Sequence, residues 1–248
     1  MWVIGHRGAS GAAPENTLAA FHLAADLGAQ YVETDLQLTR DGRLVLMHDE
    51  KLQRTTNGRG LVTSKTFHEL RWLDAGSWFP KRILGKRRAP PRFAGERIPS
   101  IEELLDLARE RDIGLYLEVK VPCAHGAERA VVAALRAAGA LARCTVICFD
   151  VSVLLRVREL DPAVALGYLF DKRLPDAVAR AISAGAGTIL PRADRVTPKL
   201  IQEARAHNLK MVTWTVNDKK IMKELIALGV DGIMSDFPDR LAAVVGSS

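Results

Sequence analysis

No stretch of this sequence is apolar for the roughly 18 residues that a bilayer-crossing helix needs. Cysteine is scarce, with only Cys123, Cys144 and Cys148, so neither a disulfide framework nor a zinc-ligand pattern can be drawn. Cys144 and Cys148 fall on one face of one strand, too far apart along it to bridge. No G-x-G-x-x-G and no P-loop follows any strand-like run, which removes the usual nucleotide sites. The opening Met1-Trp2-Val3-Ile4-Gly5 reads as a strand and lacks the charged and apolar regions of a secretory signal. A cytoplasmic location is the expectation.

Charge is present in excess, but locally. The formal net charge is +6. Between Pro80 and Pro99, seven basic residues stand against the single acid Glu96, so this segment alone accounts for the excess. Its single aromatic is Phe93 and it has no nucleic-acid motif, so nucleic acid is not expected as a partner. Two readings remain for basic loop 80–99: a solvated loop, or a lip giving weak contact with an anionic membrane or a polyanionic substrate.

Short β-branched or apolar runs alternate with helical periodicity along the whole chain. Strands are predicted near 2–6, 31–38, 114–120, 144–149, 164–169, 187–190, 210–216 and 232–235. Helices are predicted near 15–28, 101–111, 126–139, 151–160, 174–185, 197–208, 218–229 and 238–245. Pro14, Ser100, Asp150, Thr197 and Asn217 or Asp218 mark helix starts, and Gly28, Gly139, Gly185 and Gly229 mark ends. Eight β–α units predict a (β/α)8 TIM barrel, with an open doubly wound sheet as the competing arrangement. The chain is expected to form one domain over 1–248. Its insertion between the second and third barrel strands, residues 39–100, should hang over the C-terminal face and carry a short helix near 66–73.

Strand alternation points Tyr31, Glu33, Asp35 and Gln37 to one face, and Val32, Thr34, Leu36 and Leu38 to the other. The apolar face must pack on helices, so Glu33 and Asp35 face the barrel interior. The same reasoning turns Tyr116, Glu118 and Lys120 inward on the next barrel strand. Neighbouring ionised carboxylates repel and are costly to bury without a cation. Three of them on adjacent strands make an oxygen-donor site for Mg2+ or Ca2+, whereas ion pairs with Arg7 and Lys120 are the plainer alternative. His6 and His48 each end an apolar run; together beside the carboxylates they can serve as an acid–base pair. His22, His68, His125 and His207 read as surface residues.

Beyond spacing, His6-Arg7-Gly8-Ala9-Ser10, followed by Pro14-Glu15-Asn16-Thr17, resembles the opening motif of the glycerophosphodiester phosphodiesterase family. The resemblance continues in family order through Glu33-Thr34-Asp35, Met47-His48-Asp49, Thr55-Thr56-Asn57-Gly58 and Gly95-Glu96-Arg97-Ile98-Pro99. It then runs through Leu117-Glu118-Val119-Lys120, Trp214-Thr215-Val216-Asn217 and Val230-Asp231-Gly232-Ile233. It implies a (β/α)8 barrel, one divalent cation on Glu33, Asp35 and Glu118, and proton transfer by His6 and His48. It also implies phosphate contacts from Arg7 and Lys120, with Trp214 either walling a glycerol pocket or simply packing in the barrel. The implied substrate is a glycerophosphodiester, cut to glycerol 3-phosphate and an alcohol. Lysophospholipase D-type action on lysophospholipids is the alternative reaction. A catalytically silent binding barrel is the alternative of another class, though no histidine or carboxylate of the set is missing. The basic run Lys81 to Arg92 departs from the family pattern, which is shorter and less charged there.

Overall fold

The computed structural model describes residues 1–79, 93–121 and 126–246. Most of the basic 80–99 segment, and with it the expected lip, lies outside the described residues, as do Cys123 and His125. Among the described residues no helix is long and apolar enough to cross a membrane.

The chain runs β1 (Trp2–His6), α1 (Leu18–Asp26), β2 (Tyr31–Leu38), β3 (Leu44–Leu46), α2 (Phe67–Arg71), α3 (Ile101–Glu110) and β4 (Gly114–Val119). It continues through α4 (Ala127–Ala137), β5 (Cys144–Cys148), α5 (Val151–Leu160), β6 (Ala165–Phe170), α6 (Ala177–Ser183) and β7 (Thr188–Pro191). The last elements are α7 (Pro198–Ala206), β8 (Lys210–Thr213), α8 (Lys219–Leu228), β9 (Gly232–Ser235) and α9 (Pro238–Val245). Strands β1, β2 and β4 to β9 pair in parallel, and β1 bonds both β2 and β9, so the ring closes into an eight-stranded barrel. The open-sheet alternative is thereby removed. Strand β3 lies outside the ring, antiparallel to the C-terminal half of β2, with Leu36 opposite Leu46.

Alternation sorts the side chains into two cores. Outward residues such as Val32, Leu36, Leu115, Leu117 and Val146 pack with Leu104, Val131, Leu135 and Leu154 of the helices. Inward residues Ile4, Tyr116, Ile147, Leu169, Leu190, Val212 and Met234 fill the barrel. Burying each such Leu, Ile or Val stabilises the fold by roughly 1.5–3 kcal/mol. A third, smaller cluster belongs to the segment after β2: Val45, Met47, Leu52, Val62, Leu70, Ala75 and Ile98.

Helix punctuation follows local chemistry. The Ser100 side chain accepts from the Glu103 backbone, and Glu103 Oε2 accepts from the Ser100 N–H at 2.8 Å, a reciprocal cap that starts α3. Gly229, in the left-handed region at φ 86°, ends α8. Helix α1 begins at Leu18 rather than near 15 because Thr17 caps it and Asn16 is left-handed (φ 56°). Asn is among the residues that tolerate this geometry. Strand β8 stops at Thr213, short of 216; beyond it Trp214 makes only an isolated bridge to Arg192.

Candidate active site

Three carboxylates converge where β2 and β4 lie side by side. Asp35 pairs with Glu118 across the ladder, and His6 of β1 pairs with Glu33. Glu33, Asp35 and Glu118 are 3%, 1% and 8% exposed, and each offers an oxygen within 4.8 Å of the others. Burial, with Asp35 and Glu118 adding repulsion, pushes Glu33 well above the usual carboxylate range. Burial and the Asp35 charge push Glu118 up to about 7 against the pull of Lys120. Burial would raise Asp35 too, but Arg7, Lys120 and His48 outweigh it and hold Asp35 low. Asn16 adds to this, donating Nδ2–H to Asp35 Oδ2 at 2.9 Å while its Oδ1 accepts from Thr34 at 2.8 Å.

The ion pairs weighed in the sequence are present alongside this cluster. Lys120 Nζ lies 2.8 Å from Glu118 Oε1 and 3.3 Å from Asp35 Oδ1. Arg7 donates its backbone N–H to Glu33 Oε2 at 3.0 Å and its NH1 to Glu15 Oε1 at 2.9 Å. Its Nε approaches Asp35 Oδ2 to 3.2 Å without hydrogen-bonding geometry, leaving it a buried donor without an acceptor. Two cations against three carboxylates leave the cluster acidic when all are ionised.

Each histidine is held by a carboxylate on Nδ1. His6 Nδ1 is 2.7 Å from Asp236 Oδ1, and Asp236 also accepts from Ser10 Oγ (2.9 Å) and Asn217 Nδ2 (2.6 Å). Burial opposes ionisation of Asp236, but these donors pull its carboxyl down to about 2. His48 Nδ1 is 2.7 Å from Asp49 Oδ1, and Arg54 draws Asp49 down to about 2. With Nδ1 occupied, Nε2 is the free edge of each ring; that of His6 is 4.0 Å from Glu33. Burial pushes the His48 imidazole below its ordinary value. Gln37 faces inward as alternation requires, and its Nε2 lies 3.1, 3.2 and 2.6 Å from the carbonyls of Met47, His48 and Asp49, pinning the backbone that carries His48.

One cavity of about 190 Å3 is lined by the polar His6, Arg7, Glu33, His48, Glu118 and Lys120 and by the apolar Ile147, Phe149, Leu169, Trp214 and Met234. Trp214 both lines the cavity and packs: its Nε1 donates to the Leu190 carbonyl at 2.8 Å, and Phe149 meets it edge-on at 5.5 Å. All eight residues singled out in the sequence therefore lie in or against this site. Asp236, Asn217, Arg54 and Phe149 were missed. Only their position just beyond strand ends, or within a loop motif, hinted at them.

A (β/α)8 barrel with acids and histidines gathered at the C-terminal ends of its strands has the layout of a barrel enzyme. Residues 6–240 match the model of the Glycerophosphoryl diester phosphodiesterase family, and the chain belongs to that family. It is 36% identical over 245 residues to a glycerophosphodiester phosphodiesterase of Caldanaerobacter subterraneus, covering 98% of this chain and 97% of that one. Among solved structures it resembles a phosphodiesterase of Oleispira antarctica in complex with the product sn-glycerol-3-phosphate. The TM-score there is 0.87 at 29% identity, over 99% of this chain and 97% of that one. The glycerophosphodiester phosphodiesterase of Agrobacterium tumefaciens superposes with a TM-score of 0.84 at 30% identity, over 98% and 99% of the two chains.

Proposed function

We propose that this protein hydrolyses glycerophosphodiesters, with Glu33, Asp35 and Glu118 holding a divalent cation, Mg2+ or Ca2+, and with His6 and His48 exchanging protons. The carrying observation is that three buried carboxylates and two carboxylate-held imidazoles meet at one cavity. The donors fit the ion: all are oxygens, as a hard cation prefers, and the raised Glu33 and Glu118 mark a cluster that lacks enough positive charge. A bound cation supplies charge stabilisation for substrate oxygens as negative charge develops on them. The product-bound relative from Oleispira antarctica supports the same substrate class.

In this reading Arg7 and Lys120 face the phosphate, and Trp214 with Phe149 walls the glycerol moiety. The attacking hydroxyl, either the glycerol 2-hydroxyl or a water, passes its proton to one imidazole as its oxygen bonds to phosphorus. The bond to the departing alcohol breaks, and the other imidazole protonates that oxygen. If the glycerol hydroxyl attacks, water then opens the cyclic phosphate with the two roles reversed. The products are glycerol 3-phosphate and the alcohol. Chelation with EDTA should abolish turnover of glycerophosphocholine, Mg2+ or Ca2+ should restore it, and Glu118→Ala should be inactive with either. Activity that survives exhaustive chelation overturns the cation assignment.

A further inference from the structure

Arg54 takes no part in the chemistry above, yet its guanidinium joins two carboxylates from separate parts of the chain. Its NH1 and NH2 donate to Glu15 Oε2 and Oε1, both at 2.7 Å. Its Nε and NH2 donate to Asp49 Oδ2 and Oδ1 at 2.5 and 3.0 Å. Glu15 follows β1 and also grips Arg7, whereas Asp49 grips His48. A continuous chain Arg7–Glu15–Arg54–Asp49–His48 thus links the barrel to the inserted segment.

The Arg54 side chain is 43% exposed, and an ordinary ion pair at such a place contributes little to stability. Four bonds from one planar fork have a different effect, because they fix direction as well as distance. The His48 backbone is already pinned by Gln37, so the open variable is the rotation of its ring. Asp49 sets that rotation, and among the described residues the side chain donating to Asp49, other than His48 itself, is Arg54. A lysine ammonium cannot span both carboxylates with this geometry.

We propose that Arg54 is the positioning residue for His48, a clasp that anchors the Asp49–His48 pair to Glu15 and so aims His48 Nε2 into the cavity. This rests on His48 being one of the two proton-transferring residues.

The test is steady-state kinetics on glycerophosphocholine with the metal-loaded full chain. Arg54→Ala should lower kcat about 10- to 100-fold, the range seen when a partner orienting a functional histidine is lost, with little change in KM. Arg54→Lys should recover little. Added guanidinium should restore part of the Arg54→Ala rate where equal NaCl does not. In a His48→Gln background Arg54→Ala should add no further loss. An unchanged kcat, or a lower one with no guanidinium rescue and full additivity with His48→Gln, overturns the proposal. Wild-type turnover by His48→Gln removes the acid–base reading alone. The clasp is then judged by the 15N shift of His48 Nδ1, which must move in Arg54→Ala; an unmoved shift overturns it. If Arg54→Ala does not fold, Asp49→Asn carries the same comparison.

Discussion

His6 and His48 reach the same cavity by different mounts. His6 ends a strand of the closed ring, its backbone paired with β2, and its carboxylate partner Asp236 comes from the turn after β9, the strand bonded on the other side. His48 follows β3, which lies outside the ring and is backed by a core of seven buried side chains. Both pairs have the same 2.7 Å Nδ1–carboxylate distance. Both are held by further side chains: Ser10 bonds the His6 carbonyl and Asp236, and Asn217 bonds Asp236, whereas Gln37 bonds the His48 carbonyl and Arg54 bonds Asp49. The two mounts therefore differ in what carries the histidine, a ring strand or a segment outside the ring, and not in the number of ties that orient it.

The comparison can be broken at its strongest point first. Removing either ring should cost on the order of 10²- to 10⁴-fold in kcat, so His6→Ala and His48→Ala should be comparably impaired despite their different mounts. Near-normal turnover in either variant would strike that residue from the pair. The mounts themselves should then separate. Leu70→Ala removes a fully buried side chain from the small core and Leu117→Ala one from the barrel, each at a cost of about 2–5 kcal/mol. Hydrogen exchange should show Leu70→Ala loosening amides of the inserted segment while the strands stay protected, and Leu117→Ala weakening the strands too. Equal loss of protection everywhere would mean that the two regions open as one unit.

The smallest expected difference concerns acid. The Asp49 carboxyl is held at about 2 by Arg54 and His48, and the Asp236 carboxyl at about 2 by His6, Asn217 and Ser10 against the cost of burial. Both lie below the ordinary 3.8. The stability each contributes is therefore complete above pH 3.8 and is lost as pH falls toward about 2. Denaturation midpoints for Asp49→Asn and Asp236→Asn should accordingly depend less on pH across that window than those of the parent. A slope as steep as the parent's in both would show that neither pair is held in this way.

What was legible beforehand follows the same division. Alternation along Tyr31–Leu38 and Gly114–Val119 is local, so it placed Glu33, Asp35 and Glu118 inward without any knowledge of the closed ring. The histidines could be picked out at run ends and paired beside the carboxylates as an acid–base pair, and the family resemblance implied the proton-transfer role of each. Asp236 was illegible because it lies 230 residues from His6, and only closure of β1 against β9 brings the two together. Arg54 reads as one more loop cation until Glu15 and Asp49 are seen on either side of it. Helix α1 starts later than its periodicity predicts because the left-handed turn at Asn16 serves Asp35, a demand invisible in local propensity.

The apolar packing inside the barrel has a consequence for traffic. Ile147, Leu169 and Met234 form the base of the catalytic cavity and belong to the same plug as Ile4, Leu190 and Val212. The chamber is therefore closed at that end, and whatever enters must leave by the way it came. In the proposed reaction the alcohol and the glycerol 3-phosphate must both leave by that one route. Lingering glycerol 3-phosphate should then compete with the next substrate for the same doorway.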